Sequence, residues 1–289
     1  MFLKARHQWS VLAVALVAVM PVGFSGFAAP PTAGEPQAPP AGQTAGTPPG
    51  GQRGQRSQPT TTQPAPGRGT FGPAPREHDD TTGFTRIFDG KTLTGWDGDA
   101  TFWRVEDGAI VGESTPQKVV KENTFLIWRG DTLRDFELKV EFRINGTNSG
   151  IQYRSAELPA VGKWVLKGYQ ADLDFVSAYT GNVHDERGRS FLSPRGNVTR
   201  GVEGGQFKAI GVIDDPSALK GYVNINGWNQ YHIIARGPVL MHLINGRLMS
   251  VFLDEDTKNR AMEGVLGFQM HVGPPFKVEY RNVWYKKIP

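Results

Sequence analysis

The stretch Phe136-Glu-Leu-Lys-Val-Glu-Phe-Arg143 alternates apolar and charged side chains. Its apolar residues Phe136, Leu138, Val140 and Phe142 fall on one face of an extended chain, because successive side chains of a strand point to opposite faces. The charged residues fall on the other face, which an antiparallel sheet can leave in contact with water. The stretch therefore predicts a strand with one buried and one solvated face.

Short runs of β-branched and aromatic residues lie on both sides of this strand. They start at Phe102, Ala109, Thr124, Ile151, Tyr169, Tyr231, Leu240, Leu248, Val265 and Val278. Asp107-Gly108 and Asn245-Gly246 separate neighbouring runs, and such dipeptides favour hairpin turns in which both central residues have positive φ. The only modest helix candidate runs from Asp215 to Lys220. These runs predict an all-β fold, a two-sheet antiparallel sandwich of jelly-roll type.

The N-terminal part has a different composition. Lys4 and Arg6 precede the apolar run Val11–Val19, and small residues follow near Ala28, which predicts a secretory signal peptide over residues 1–29. An uncleaved membrane anchor is the alternative, although the run is short for a span of about 20 residues. Residues 30–80 are rich in Pro and Gly and are predicted to be a disordered tether. The β-sandwich domain then covers residues 81–289 of a periplasmic or extracellular protein with no stable membrane span after signal cleavage.

Composition excludes several classes of function. The 289 residues include no cysteine, which excludes disulfides, thiol catalysis and thiolate metal sites. The net charge of +4 comes mostly from the N-terminal part, because residues 1–79 hold six basic and three acidic residues. Residues 80–289 hold 26 basic and 25 acidic residues. This balance gives no electrostatic reason to expect a nucleic acid as partner.

One predicted strand carries polar residues in a suggestive pattern. Gln170, Asp172 and Asp174 share a face, with about 6.6–7 Å between successive members. Two carboxylates at that spacing suit a shared cation, or an acid and a base that flank a sugar; a solvated outer face is the alternative. Laminarinase-type glucanases carry Glu-x-Asp-x-Glu on such a strand, but here Gln170 stands first. An amide cannot act as the nucleophile, so ordinary retaining hydrolysis is disfavoured.

Two further segments carry groups suited to sugar chemistry. His271 follows Gln269 at the end of an apolar run and precedes a Gly-Pro loop, so its imidazole can reach a cleft and titrate near neutral pH. A structural histidine bonded to the loop is the alternative. The segment Asn148–Arg154 supplies amide, phenol and guanidinium groups that suit sugar hydroxyls.

Seven motifs follow one another in a fixed order across residues 82–288. They are Phe84–Trp96, Trp103–Glu113, Asp135–Arg143, Asn148–Ile151, Trp228–Gly237, His242–Gly246, and Gly267–His271 followed by Tyr280–Val283. In this order the chain resembles the 3-keto-disaccharide hydrolase family, formerly filed as a domain of unknown function. The resemblance implies a concanavalin A-like lectin/glucanase sandwich.

The resemblance also implies cleavage of glycosides that carry a ketone at C3. The ketone acidifies the C2 proton, so a base can form an enolate, the C1 substituent leaves by elimination, and water then adds. Such a site needs a base, a stabiliser for the enolate and an acid for the leaving oxygen. A divalent cation can replace one of these side chains. A non-catalytic carbohydrate-binding or wall-associated module is the alternative, because the fold hosts both.

Carried onto matching positions, the resemblance implies His271, Asp172 and Glu113 as catalytic residues. Either His271 or Asp172 is the base, and Glu113 is an acid, a ligand or only a surface charge. Substrate-binding roles are implied for six further residues: Gln170, Asn148, Arg154, Tyr179, Gln269 and Arg189. Arg189 alternatively organises the rim of the cleft through carboxylate pairs. His184 stands where the family commonly has a tyrosine.

Overall fold

The computed structural model describes residues 80–289, so the predicted signal peptide and nearly all of the predicted tether lie outside the described residues. The strands are β1 Thr85–Arg86, β2 Trp96–Asp97, β3 Trp103–Glu106, β4 Ala109–Glu113, β5 Thr124–Leu133, β6 Phe136–Asn145, β7 Asn148–Glu157, β8 Leu166–Asp174, β9 Val183–Glu186, β10 Ser190–Ser193, β11 Asn197–Val202, β12 Gln206–Val212, β13 Asn229–Arg236, β14 Val239–Ile244, β15 Arg247–Asp254, β16 Gly264–Met270 and β17 Lys277–Lys287. The helix described is α1, Pro216–Lys220, and no helix of residues 80–289 has the length and apolar character to cross a bilayer.

The strands form two sheets that pack face to face. One has the order β12-β11-β15-β14-β13-β6-β17-β4-β3, with β1 paired to β17, and the other has the order β10-β9-β8-β7-β16-β5-β2. The pairing of β11 with β15 is parallel, and the other pairs are antiparallel. The predicted all-β, two-sheet jelly-roll sandwich is confirmed.

The alternating strand β6 lies near the middle of the ten-stranded sheet, between β13 and β17. Its four apolar residues are almost completely buried and belong to the core between the sheets. Both predicted hairpin turns are present, with φ of 49° at Asp107 and at Asn245 and 76° at Gly108 and at Gly246. Periodicity and turn chemistry therefore determine this half of the sandwich.

Strands β9 to β12 were not predicted. β12 has little burial at any position and β10 is exposed at its first two residues, so neither shows the alternation that marks a half-buried strand. Both lie at an edge of their sheet. Edge strands with few buried side chains leave a weak hydrophobic signal in the sequence.

The outer face of the seven-stranded sheet is concave. Asn123, just before β5, donates a hydrogen bond of 2.9 Å from Nδ2 to Oε1 of Glu186 on β9. Strands β8, β7 and β16 separate β9 from β5, so a flat sheet would hold them about 19 Å apart. The adjacent pair Glu122 and Arg187 forms a salt bridge across the same gap. The sheet must therefore curl until its two sides meet over the face that points away from the core, called the concave face below.

Candidate functional site

Asp172 and Gln269 flank a glycine on the concave face. Asp172 on β8 is the register partner of Gly150 on β7. On the other side of β7, Phe268 pairs with Ile151, which places the next residue, Gln269, beside Gly150. Gly150 has no side chain, and the Gln170 side chain lies over it, in the space between the carboxyl and the amide.

The neighbouring row of the concave face is formed by two amides and an imidazole. Gln152 on β7 is the register partner of Gln170 on β8, and Gln170 is in turn the partner of His184 on β9. Gln152 also pairs with Gly267 on β16. The two rows together place amide, carboxyl and imidazole groups on one face. The two glycines of these rows are covered by neighbouring side chains, Gly150 by Gln170 and Gly267 by Leu166.

Gln170 connects the two rows by hydrogen bonds. Its Nε2 donates to Oδ1 of Asp172 at 3.0 Å, and its Oε1 accepts a long bond of 3.4 Å from Nε2 of Gln152. The side chain can lean across β7 only because residue 150 is glycine: a Cβ there would lie 2.2 Å from Cδ of Gln170. Gly150 therefore shapes the site without contributing a functional group.

Several polar atoms of this face are buried without a protein partner. They are both side-chain polar atoms of Gln269, Oε1 of Gln152, Oδ1 of Asn148 and Nδ1 of His184. Gln152 and Gln269 have no exposed surface at all. Buried polar groups in proteins are nearly always hydrogen-bonded, so this cluster needs further polar partners, such as buried water or a polar ligand, to complete its bonding.

Burial raises the pKa of Asp172 to about 8. Desolvation is the main cause; the hydrogen bond from Gln170 opposes it, while the charges of Glu186 and Asp174 add to the rise. Asp172 is therefore largely protonated at neutral pH and can donate a proton, which an ordinary surface aspartate cannot do.

The backbone around Asp172 is fixed from the core side. Tyr231 donates through its hydroxyl to the carbonyl oxygen of Asp172 at 3.3 Å, and the Asp172 N–H donates to the carbonyl of Asn182 at 3.3 Å. His242 donates to that same carbonyl from Nδ1 at 3.0 Å and accepts from the hydroxyl of Tyr153 at 2.8 Å. Burial lowers the pKa of His242 to about 3, so it is neutral and serves the framework.

Asp174 is occupied by the loop that follows β8. Its carboxylate accepts from the backbone N–H groups of Ala178, Tyr179 and Thr180, each at 2.8 Å, and from the Thr180 hydroxyl at 2.9 Å. These bonds use the lone pairs that a cation shared with Asp172 would need. Nowhere in residues 80–289 do three His, Asp or Glu side chains gather as a metal ion would require.

His271 lies just past the end of β16, two residues from Gln269, and is partly exposed. Its Nδ1 bonds the carbonyl oxygen of Val272, and because a carbonyl only accepts, Nδ1 carries the proton. In the neutral ring the lone pair is then on Nε2, the atom able to take a proton from a substrate.

Three predicted site residues lie away from this cluster. Glu113 pairs with Lys277 in the ten-stranded sheet and forms a 2.7 Å salt bridge with Arg104. Its strand neighbour Gly112 faces the core ring of Trp103, so Glu113 points to the outer face of the opposite sheet. The prediction that Glu113 acts with Asp172 is wrong, because the two residues point away from the sandwich on opposite sides.

Arg154 does not face the sugar-suited residues of its strand. A register shift after Tyr153 and a φ of 48° turn its side chain out of the strand's alternation. The guanidinium, 1% exposed, donates to the carbonyls of Arg134 and Gly237 and to the carboxylate of Asp135. Its predicted substrate contact stays a prediction: three framework groups hold the guanidinium, and the residue lines a cavity with Arg189, apart from the rows of Asp172 and Gln170.

Arg189 forms salt bridges with carboxylates, which is the alternative role that the sequence analysis gave it. It donates to Asp185 at 2.9 Å and to both oxygens of Asp254, at 2.9 and 2.6 Å. Asp185 is on β9 and Asp254 is on β15, so Arg189 connects the two sheets. The guanidinium is one-tenth exposed and is held by framework carboxylates, which fits the alternative role, while the predicted substrate contact of Arg189 stays a prediction.

The remaining predicted binding residues lie on or beside the concave face. Gln170 and Gln269 are in the two rows, and Asn148 lies two residues before Gly150 on β7 with its Oδ1 unpartnered. Tyr179 is half exposed in the loop that Asp174 holds. From the sequence, the amide of Gln152 counted only as part of the sugar-suited segment Asn148–Arg154 and was not singled out, although it lies two residues after Gly150 and therefore on the same face.

Replacing Gly150 with alanine tests the geometry of the two rows. The new methyl group overlaps the Gln170 side chain, so we expect it to displace the amide from Asp172 and to lower kcat/KM by about 10- to 100-fold. The matched control is Gly211→Ala, where the added Cβ would meet only ordinary contacts at 3.4 Å and beyond. The two variants are compared by steady-state kinetics after circular dichroism has shown that they are folded to the same extent. Equal kcat/KM values for the two variants would contradict the placement of the Gln170 side chain over Gly150.

The described domain can be compared with known proteins. A candidate glycosyl hydrolase from Parabacteroides distasonis is 23% identical, with 74% of this chain and 97% of that chain covered and a TM-score of 0.48. The carbohydrate-binding module CBM66 from Bacillus subtilis is 16% identical, with 67% and 96% covered and a TM-score of 0.43. The β-glucanase of Bacillus licheniformis is 13% identical, with 72% and 100% covered and a TM-score of 0.41.

At these identities the likeness concerns the fold. No curated protein sequence matches the chain at a significant level. The family model of the 3-keto-alpha-glucoside-1,2-lyase-like domain matches residues 83–286, which is nearly all of the described part of the chain. The chain therefore belongs to the family of 3-keto-alpha-glucoside-1,2-lyase-like domains, as its ordered motifs predicted.

Proposed function

We propose that the chain is an exported enzyme that cleaves 3-keto-glycosides by C2 proton abstraction, elimination and addition of water. Family membership supports a carbohydrate-active function. The observation that carries the finer proposal is Asp172, a carboxyl group buried among unpartnered amides with its pKa raised to about 8. Such a group can transfer a proton at neutral pH, which a binding module does not need.

The reaction balances with side chains alone. A base removes the proton from C2, and the electron pair forms the enolate of the C3 ketone. The enolate then expels the C1 oxygen, which takes a proton from an acid and leaves as an alcohol. Water adds across the resulting C1–C2 double bond, so that the sum is hydrolysis.

Three groups of the concave face fit these roles. Asp172 is protonated below pH 8 and is assigned as the acid for the leaving oxygen. Gln269 has an Nε2 without a protein partner, and this donor is assigned to the enolate oxygen. Gln269 has no exposed surface, so this role requires the side chains that cover it to move when substrate binds. His271 presents Nε2 with its lone pair and is assigned as the base at C2.

The test compares an oxidised substrate with its parent. The full-length chain should release alcohol from a methyl 3-keto-α-glucoside and none from methyl α-glucoside, because only the ketone acidifies C2. In D2O the sugar product should carry deuterium at C2, which nuclear magnetic resonance detects. Release from the parent glycoside, or a product without C2 deuterium, would contradict the elimination route; saturable sugar binding without turnover would favour the non-catalytic module.

Export is part of the proposal and rests on the charged start and apolar run of residues 1–29. A fusion of residues 1–80 to a phosphatase that is active only outside the bacterial cytoplasm should give activity, and replacing Lys4 and Arg6 with glutamate should reduce it. An inactive fusion that is made in full would contradict export.

A further inference from the structure

The side chain of Asn123 bonds two different parts of the concave face. Its Nδ2 donates to Oε1 of Glu186 on β9, and its Oδ1 accepts from the backbone N–H of Val272, each at 2.9 Å. Asn123 is only 8% exposed, so both bonds lie largely out of water. A buried amide that is bonded on both sides is held in one position between its partners.

The chemistry of the two partners determines which way the amide points. An ionised carboxylate such as that of Glu186 only accepts hydrogen bonds, and a backbone N–H only donates them. The amide nitrogen of Asn123 must therefore face Glu186 and the amide oxygen must face Val272, because a flipped amide would lose both bonds. Glu186 thus fixes the orientation of the oxygen that holds Val272.

Val272 in turn holds the imidazole of His271. Thr124 is the register partner of Met270, so the adjoining residues Asn123 and His271 lie side by side, where β5 begins and β16 ends. The N–H that Asn123 accepts belongs to the peptide group that joins His271 to Val272. The carbonyl oxygen of Val272 accepts from the proton-bearing Nδ1 of His271.

The loop that follows β16 is also anchored at its far end. The N–H of Phe276 donates to the hydroxyl of Ser114 at 3.1 Å, and the N–H of Ser114 donates to the carbonyl of Phe276 at 3.0 Å. The prolines Pro274–Pro275 lie between the two anchors and have a fixed φ. Much of the remaining freedom of the loop is therefore at Val272 and its neighbour, next to the bond from Asn123.

The tautomer of His271 matters for the proposed chemistry. Which nitrogen of a neutral imidazole carries the proton is set by the hydrogen bonds that the ring makes. With Nδ1 protonated against Val272, the lone pair is on Nε2, the atom that the proposed reaction uses at C2. If the Val272 carbonyl moves away, the ring loses the bond that selects this tautomer, and Nε2 is available as a base for only part of the time.

We infer that Asn123 is a positioning residue for His271 and is itself held in orientation by Glu186. The inference rests on the proposed function, in which His271 removes the C2 proton. Asn123 transfers no proton in this role and needs no contact with the substrate, because it acts through the peptide group of Val272. Its loss should therefore lower kcat and leave substrate binding nearly unchanged.

Kinetics and nuclear magnetic resonance of the full-length chain test this role. Asn123→Ala should lower kcat on methyl 3-keto-α-glucoside by about 10- to 100-fold, with KM changed by less than about twofold. Nitrogen spectra of isotope-labelled protein should show His271 protonated at Nδ1 in the wild type and a mixture of both tautomers in Asn123→Ala. A sample of His271→Asn identifies the signals.

Asn229→Ala is the matched control. Asn229 is another buried amide, 3% exposed, whose side chain bonds the backbone of a loop, but it lies on β13 in the ten-stranded sheet. Its loss should leave both kcat and the tautomer of His271 unchanged at equal folded fraction.

A reciprocal exchange tests the part played by Glu186. Asn123→Asp alone places two carboxylates against each other and should lower kcat as Asn123→Ala does. Adding Glu186→Gln to it restores a donor that faces an acceptor, keeps one negative charge at this place and leaves an oxygen for the N–H of Val272. The double variant should therefore recover kcat to within about threefold of the wild type, which is the non-additivity expected of residues in one network.

An unchanged tautomer or an unchanged kcat in Asn123→Ala would overturn the inference while leaving the proposed function intact. A double variant no better than Asn123→Asp, or a raised KM at constant kcat, would overturn it as well. If the wild-type chain does not turn over the 3-keto-glucoside, the proposed function fails. The tautomers of His271 in the wild type and in Asn123→Ala then decide the positioning role alone.

Discussion

Replacing Asp172 with asparagine should lower kcat on a 3-keto-glucoside by about 10²- to 10⁴-fold, the usual loss when a general acid is removed. Asparagine has nearly the same shape and can still accept the bond from Gln170, so the fold and the binding of substrate should change little. Asp107→Asn is the matched control, because Asn-Gly suits that hairpin turn as well as Asp-Gly does. Steady-state kinetics of both variants measure the difference, and a loss below tenfold in Asp172→Asn would remove Asp172 from the mechanism.

The pH dependence separates the two roles open to Asp172. As an acid it must be protonated, so kcat should fall tenfold per pH unit as the pH rises above 8. As the C2 base it must be ionised, and kcat would rise through pH 8. A profile that is flat between pH 7 and 9 would contradict both roles.

The pH dependence of the free energy of unfolding tests the raised pKa of Asp172 independently of kinetics. The pKa of Asp172 is higher in the folded chain than in the unfolded chain, where it is near 4. The carboxyl therefore contributes fully to the free energy of unfolding below pH 4, and this contribution is lost as the pH rises toward 8. The free energy of unfolding of the wild type should therefore fall across that window relative to Asp172→Asn, as denaturant titrations at several pH values would show. Parallel pH curves would mean that Asp172 is not buried in its neutral form.

The largest effect on stability is expected from Arg189→Met. The substitution leaves the carboxylates of Asp185 and Asp254 buried without their cation, and breaking a buried pair in this way costs about 3–5 kcal/mol. Arg200→Met, which breaks an exposed pair with Glu255, should cost at most about 1 kcal/mol. Urea denaturation of both variants provides the comparison. Equal stability, combined with a raised KM in Arg189→Met alone, would restore the substrate contact that the structure argues against.

Sequence periodicity predicted the face on which a side chain lies where the strand alternates regularly. It failed where a bulge interrupts the alternation. The shared face of Gln170 and Asp172 followed from strand geometry, and the structure places both in one buried cluster. In a regular strand Arg154 would lie on the same face as Gln152, two residues before it. A β-bulge with positive φ at Arg154 turns its side chain away from that face. No residue type in the segment predicts this bulge.

Long-range arrangement was the second limit. Glu113 was grouped with Asp172 although they lie on different sheets, since residue spacing does not say which sheet a strand joins. Asp174 lies on the predicted face, but its carboxylate is consumed by a loop only a few residues away. Phe191 gave no signal because β10 is short and exposed, and its place beside His184 follows only from the register of β10 with β9.

Oε1 of Gln152 and both polar atoms of the Gln269 side chain lack a protein partner, which implies a compromise between stability and activity. A buried polar group without a partner weakens a protein by about 1–3 kcal/mol, and exchange for an apolar group of similar shape can recover part of that loss. Variants of this chain selected for thermostability should therefore accumulate methionine or leucine at these two positions. Their melting temperature should rise while their kcat falls.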